Sequence, residues 1–154
     1  MINIIIRPPF DKLIAKDRLE YVAQAVLAET GQTKKGDISL IITDDTEIQQ
    51  LNKSFRGIDR PTDVLSFNNE YIDLDTGIPY LGEIIISYPT AKTQAIQLGN
   101  LVSHELELLL IHGYLHLLGY DHANELDKKA MWQLQKKLLA HLQNPIRDLQ
   151  DYSL

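Results

Sequence analysis

Ile2 to Arg7 is a β-branched run that stops at Pro8-Pro9 and predicts a first strand. Asp11 then stands where a helix cap is expected, ahead of Leu13, Leu19, Val22, Ala25, Val26 and Ala28 at helical spacing, with Gly31 as the stop. Ile38 to Ile42 predicts a second strand. Thr43 or Asp44 is placed to cap a short helix with Ile48 and Leu51 turned inward, followed by the loop Arg56-Gly57-Ile58-Asp59-Arg60-Pro61. Val64 to Phe67 and Glu83 to Ile86 predict two more strands, separated by a mostly polar stretch around Asp75-Thr76-Gly77 that suits a protruding hairpin or loop. From Pro89 onward the apolar period is helical, over about 89–98, 102–118 and 124–142, punctuated by Gly99 and Gly119. The pattern predicts one α+β domain over 1–154: a four-stranded mixed sheet packed with about five helices, without internal repeat or linker.

Composition narrows the chemistry. The 154 residues are 44% hydrophobic and 23% charged, which suits a globular domain with a sizeable core. There is no cysteine, which excludes disulfides, Cys-ligated zinc, iron–sulfur clusters and a thiol nucleophile. Any metal has to be held by His, Asp or Glu. No basic leader precedes the first apolar run and no apolar run approaches the ~20 residues that span a bilayer, so a cytoplasmic protein with no membrane contact is expected. The formal net charge is −6, and the excess lies in the second part of the chain: residues 1–60 carry nine basic and nine acidic side chains, 61–154 six and twelve. That balance speaks against a nucleic-acid partner unless a local basic track exists. Arg7, Lys34, Lys35, Lys53 and Arg60 are the residues that could build one.

The helix predicted over 102–118 runs into His112-Gly113-Tyr114-Leu115-His116-Leu117-Leu118-Gly119-Tyr120-Asp121-His122. Residues i and i+4 lie one turn apart on one helix face, so His112 and His116 can converge on one ion. Gly119 can take a positive φ and turn the chain so that His122 reaches the same point. Three imidazoles with a fourth position left for water is the arrangement of a catalytic zinc site, and water on such an ion ionises near neutral pH. His104 is about 12 Å further back along the helix, too far for the same ion, and is expected at the surface. His141 is expected solvated at a helix C-terminus. The spacing matches the metzincin peptidases in its ligands and glycine, but their general base follows the first His, and here that position is Gly113. Met131 sits in an amphipathic segment and reads as core.

The histidine block, with Pro61-Thr62-Asp63-Val64-Leu65-Ser66-Phe67, Leu51-Asn52 with Arg56, and Leu81-Gly82-Glu83-Ile84, resembles the YbeY-type endoribonucleases, bacterial rRNA maturation factors. The resemblance implies a single-domain α+β metalloprotein that cleaves single-stranded RNA. It further implies action in small-subunit ribosomal RNA 3′-end maturation and ribosome quality control, and association with the ribosome. It implies His112, His116 and His122 as metal ligands and Arg56 as a functional arginine. Glu83 departs from the Asp more common in that family. On chemical grounds a loop guanidinium at Arg56 offers bidentate hydrogen bonds to a phosphate and stabilises charge developing in the transition state. Thr62-Asp63 reads as a brace for the following strand. Asp121, beside a ligand, and Glu83, at the end of a strand, are the carboxylates able to orient a histidine; no general base is assigned. One divalent ion per chain is expected, zinc or nickel by its imidazole ligands. Two other readings stand beside this: a peptide or small-molecule metallohydrolase, which requires a narrow apolar pocket, and a ribosome-associated binding protein with a closed, structural metal site.

Overall fold

The computed structural model describes residues 1–31, 36–147 and 149. Its elements run β1 (Ile2–Ile6), a 3-10 turn (Phe10–Lys12), α1 (Lys16–Glu29), β2 (Asp37–Thr43), α2 (Asp45–Arg56), β3 (Val64–Ile72), β4 (Pro79–Ser87), α3 (Tyr88–Leu98), α4 (Val102–Leu117) and α5 (Glu125–His141). The sheet order is β1-β2-β4-β3, with β1, β2 and β4 parallel and β3 antiparallel on the edge beside β4. This is the expected single α+β domain with a four-stranded mixed sheet and five α-helices.

Alternation along the strands divides the core. Ile38, Leu40, Ile42, Ile84 and Ile86 face one side, where α1, α3 and α4 cover them and α5 packs on α1 and α4; Ile85 and Leu65 face the other and are covered by Ile48 of α2. Helix α4 is the hub. It is buried continuously from Glu105 to Leu115, as expected of a helix apolar almost all round, and it packs on α1, α3, α5, β3 and β4. A helix held this rigidly is a good mount for metal ligands.

Two expectations need correction. Asp11 does not cap α1; it lies in the 3-10 turn, and α1 begins at Lys16 after Ala15, which makes no side-chain cap. The Phe10 ring stacks on Tyr88 with centroids 4.8 Å apart, and Leu13 is left exposed, so a tertiary contact outweighs the local helical spacing. The strands predicted at 64–67 and 83–86 are longer, β3 reaching Ile72 and β4 starting at Pro79, so the polar stretch is the expected hairpin with 73–78 as its tip. There Asp73 Oδ1 accepts from the backbone N–H of Asp75 and Thr76. Residues 68–72 are exposed, so no alternation marks them as strand. The helix boundaries predicted after Pro89 agree with α3, α4 and α5 to within a few residues, and Asp44 does cap α2, accepting from Glu47 N–H at 2.9 Å.

Candidate metal centre

His112 and His116 project from the last turns of α4, with ring centroids 4.5 Å apart. The helix ends in a reversal of backbone hydrogen bonds: Gly119 N–H donates to the His116 carbonyl and Tyr120 N–H to the Leu115 carbonyl, both at 3.0 Å. Gly119 adopts φ +100°, which this paired-bond terminus requires of its residue and which glycine supplies without strain. Asp121 Oδ1 then accepts from His122 N–H at 2.7 Å, fixing the turn that returns His122 to the cluster, 4.9 Å from the His116 ring. One ligand atom from each of the three histidines lies within 4.8 Å of the others.

Protonation favours ligation. His112 Nδ1 is 2.8 Å from Gln135 Oε1 in the buried space between α4 and α5. An amide oxygen only accepts, so Nδ1 carries the proton and Nε2 presents a lone pair. The His116 ring is engaged by the Tyr120 backbone. The two Nε2 atoms face each other at 3.1 Å. Two nitrogens on one tetrahedral zinc, each at ~2.0–2.1 Å, stand roughly 3.3 Å apart, so the donor set fits such an ion. Burial, helped by the neighbouring His116 and His122 charges, pushes His112 down to about 3, and burial likewise lowers His116. Both rings are therefore neutral at pH 7, as metal ligands must be.

The cluster forms one wall of an open cleft of about 600 Å³ whose lining also includes Arg56, Thr62, Asp63, Ser66, Asn68 and Asp121. Arg56 is not on the loop, as the sequence suggested, but is the last residue of α2; Gly57 follows in the left-handed region and ends the helix. Buried Asn52 fixes the following loop, donating from Nδ2 to the Arg60 carbonyl at 2.9 Å and accepting at its backbone from Ile58 N–H. Asp63 braces the start of β3 as expected: Oδ1 accepts from Val64 N–H at 2.7 Å.

Other candidates fall elsewhere. Glu83 is in the middle of β4, accepting from the Tyr80 hydroxyl at 3.1 Å, and does not line the cleft. Of the residues suggested for a basic track, Arg7 pairs with Glu47 and Lys53 with Asp59, Arg7, Lys53 and Arg60 do not line the cleft, and Lys34 and Lys35 lie outside the described residues. Of the basic residues described, Arg56 lines the cleft. His104 is half-buried rather than on the surface, its carbonyl accepting from Asn144, whereas His141 is exposed at the end of α5. Met131 is fully buried core.

Gln135 is the residue that sequence reasoning missed. It lies on the buried stripe Met131, Gln135, Leu138 and Leu139 of α5, and a glutamine in an otherwise apolar stripe is the signal that could have found it. Gly113 has a packing role that the motif alone does not reveal. A Cβ there would come within 2.8 Å of Ile84 Cγ2 and 3.0 Å of Ser66 Oγ, so the position held by a peptidase's glutamate has no room for a side chain.

A compact α+β domain with three imidazoles converging on one wall of an open polar cleft defines the class: a protein with a candidate metal centre open to substrate rather than a closed structural knot. Comparison with known proteins gives the family. The family model described as Endoribonuclease YbeY matches residues 9–143. A relative named Endoribonuclease YbeY from Dehalococcoides mccartyi is 40% identical over 153 residues, covering 92% of this chain and 89% of its own. One from Shouchella clausii is 42% identical over 135 residues, 82% of each chain, and one from Synechococcus is 47% identical over 126 residues, 78% of this chain and 77% of its own. A solution structure of TM1509 from Thermotoga maritima superposes with a TM-score of 0.63 at 31% identity, covering 92% of this chain and 89% of that one. The chain belongs to the YbeY family. Among its described residues no helix is long and apolar enough to cross a membrane.

Proposed function

We propose that this protein is a metal-dependent endoribonuclease that cuts single-stranded RNA by hydrolysis, acting in maturation of the 3′ end of small-subunit ribosomal RNA and in ribosome quality control in the cytoplasm, in association with the ribosome or its small subunit. The observation that carries the reading is that the three imidazoles and the Arg56 guanidinium line one open cleft. The names of the relatives supply the RNA substrate and the endonucleolytic cut.

His112, His116 and His122 are the proposed ligands of one divalent ion, zinc by preference of the three-imidazole set, with nickel the competitor. When bound, such an ion supplies a Lewis acid and brings the ionisation of water towards neutral pH. Gln135 holds the His112 ring in the tautomer that leaves Nε2 available. Arg56 is proposed as the catalytic arginine, binding a non-bridging phosphate oxygen with a planar fork and stabilising the charge that grows on the phosphorus oxygens. Ser66 donates from Oγ to the Gly113 carbonyl at 3.1 Å, tying the wall of β3 to the ligand helix.

The peptide-hydrolase reading requires a base at 113 and an apolar slot; position 113 is closed to a side chain and the cleft is lined mainly by polar groups. The test is metal analysis of native-purified protein alongside cleavage of a short single-stranded RNA. One equivalent of metal, with cleavage abolished by a chelator and restored by the same metal, is expected. Stoichiometric metal without RNA cleavage would favour the structural-site reading, and cleavage that survives metal removal would overturn the proposal.

A further inference from the structure

Helix α2 presents Ile48 and Leu51 to the sheet, and Phe55, one turn further on the same face, continues that apolar stripe. The stripe outruns the sheet. β3 is the edge strand, and Phe55 remains 69% exposed, tilted against the Phe67 ring with centroids 5.2 Å apart at 54°. A large aromatic left this open, supported on one side by a second ring, is a surface with an unmade contact.

Its position gives the contact a direction. Phe55 precedes Arg56, which lines the cleft, and Phe67 lies between Ser66 and Asn68, which line it from the other face of the same strand. The cleft and the aromatic pair thus sit on opposite sides of one short piece of exposed edge. Next to Phe55 the charge suits a polyanion: within 53–60, Arg56 and Arg60 add two positive charges beside the Lys53–Asp59 pair.

We propose that Phe55, supported by Phe67, is a stacking platform for an unpaired base of the RNA strand next to the phosphate held in the cleft. Every base has a π-face, so such a contact binds without reading sequence. A base inside an A-form duplex is already stacked on its neighbours, so the same contact selects single strands. The inference rests on the RNA reading of the site and assigns Phe55 as a substrate-positioning residue.

The test is equilibrium binding of a fluorescently labelled single-stranded RNA decamer to native-metal protein at low temperature, with the RNA checked to be uncut. Phe55→Ala should weaken binding about 5- to 150-fold, the range of one base–aromatic stack. Phe55→Trp should restore it, and its added indole emission should be quenched by the decamer. Decamers with a single abasic site walked along the sequence should include one position at which the Phe55→Ala penalty vanishes. Phe55 is exposed, so its truncation leaves the core intact, and circular dichroism of each variant checks this. Equal affinity of wild type and Phe55→Ala, or a penalty that persists with every abasic decamer, would overturn the platform. A wild type that binds through Phe55 but never cuts RNA would instead remove the nuclease reading and leave the platform standing.

Discussion

His112 and Gln135 meet across the α4–α5 interface, Nδ1 to Oε1 at 2.8 Å, and this one hydrogen bond sets which ring nitrogen faces the cluster. If Gln135 orients the ligand, Gln135→Leu should lower metal affinity by about 10- to 100-fold, the usual cost of losing a partner behind a metal-bound histidine. Competition with a chromophoric chelator measures it. An unchanged dissociation constant would make the contact mere packing.

Arg56→Ala should leave metal content and far-ultraviolet circular dichroism as they are, because an exposed residue at a helix end supports neither the ligands nor the core. RNA turnover should fall by roughly 10²- to 10³-fold, the scale of removing one donor aimed at transition-state charge. Arg56→Lys should recover only part of it, since an ammonium lacks the planar fork. Turnover within a few-fold of wild type in Arg56→Ala would take the arginine out of the mechanism.

The three clustered histidines were readable because helical geometry puts i and i+4 on one face and because a glycine marks the turn that brings back His122. Gln135 was not, since it lies 23 residues from His112 in sequence and reaches it only through the packing of two helices. The same division holds for the fold. Strong periodic segments such as 102–118 announced themselves, whereas the start of α1 was decided by Phe10 stacking on Tyr88 and the outer half of the hairpin by ladder hydrogen bonds between exposed residues. Arg56 was recognisable as a motif residue, but its place at a helix end depends on Gly57 terminating the helix there.

Gly113 separates this site from a peptidase by volume as well as by chemistry. With Ile84 fully buried behind it, Gly113→Ala should destabilise the protein by about 1–3 kcal/mol in urea unfolding, the cost of forcing one extra carbon into a packed contact. Gly113→Glu, which recreates the metzincin sequence, should lose stability and gain no casein hydrolysis. A stable Gly113→Glu protein that cleaves casein would show that position 113 can accommodate a working base.

Stability of the metal-free protein should depend on His112. Its folded-state pKa of about 3 lies below the ordinary histidine value, so between those limits the unfolded chain holds a proton that the folded chain does not. Stability must therefore fall as pH drops from about 6.5 towards 3, by about 1.4 kcal/mol per pH unit for one proton, and be insensitive to this group above that window. His116 shifts in the same direction and adds to the slope. Urea midpoints of chelator-treated protein between pH 7 and pH 5 test this against His112→Gln. Carboxylates contribute to both proteins alike, so the difference isolates the histidine; equal slopes would refute the assignment.

The chemistry of the cut ends decides the nucleophile. Metal-independent ribonucleases typically use the substrate's 2′-hydroxyl and need an acid–base pair to move its proton. The carboxylates lining this cleft are Asp63 and Asp121, whose Oδ1 atoms accept backbone N–H bonds at 2.7 Å, and Glu83, the remaining candidate, lies outside it. Three clustered imidazoles suited to an ion that ionises water favour hydrolysis by water over attack from the sugar. Mass spectrometry of a short single-stranded RNA, cut by a nuclease-free preparation in ¹⁸O-enriched water, should show one heavy oxygen entering at the cleaved phosphate without a 2′,3′-cyclic precursor. Cyclic phosphate as the primary product would assign the nucleophile to the 2′-hydroxyl and limit Arg56 and the histidine cluster to binding and charge stabilisation.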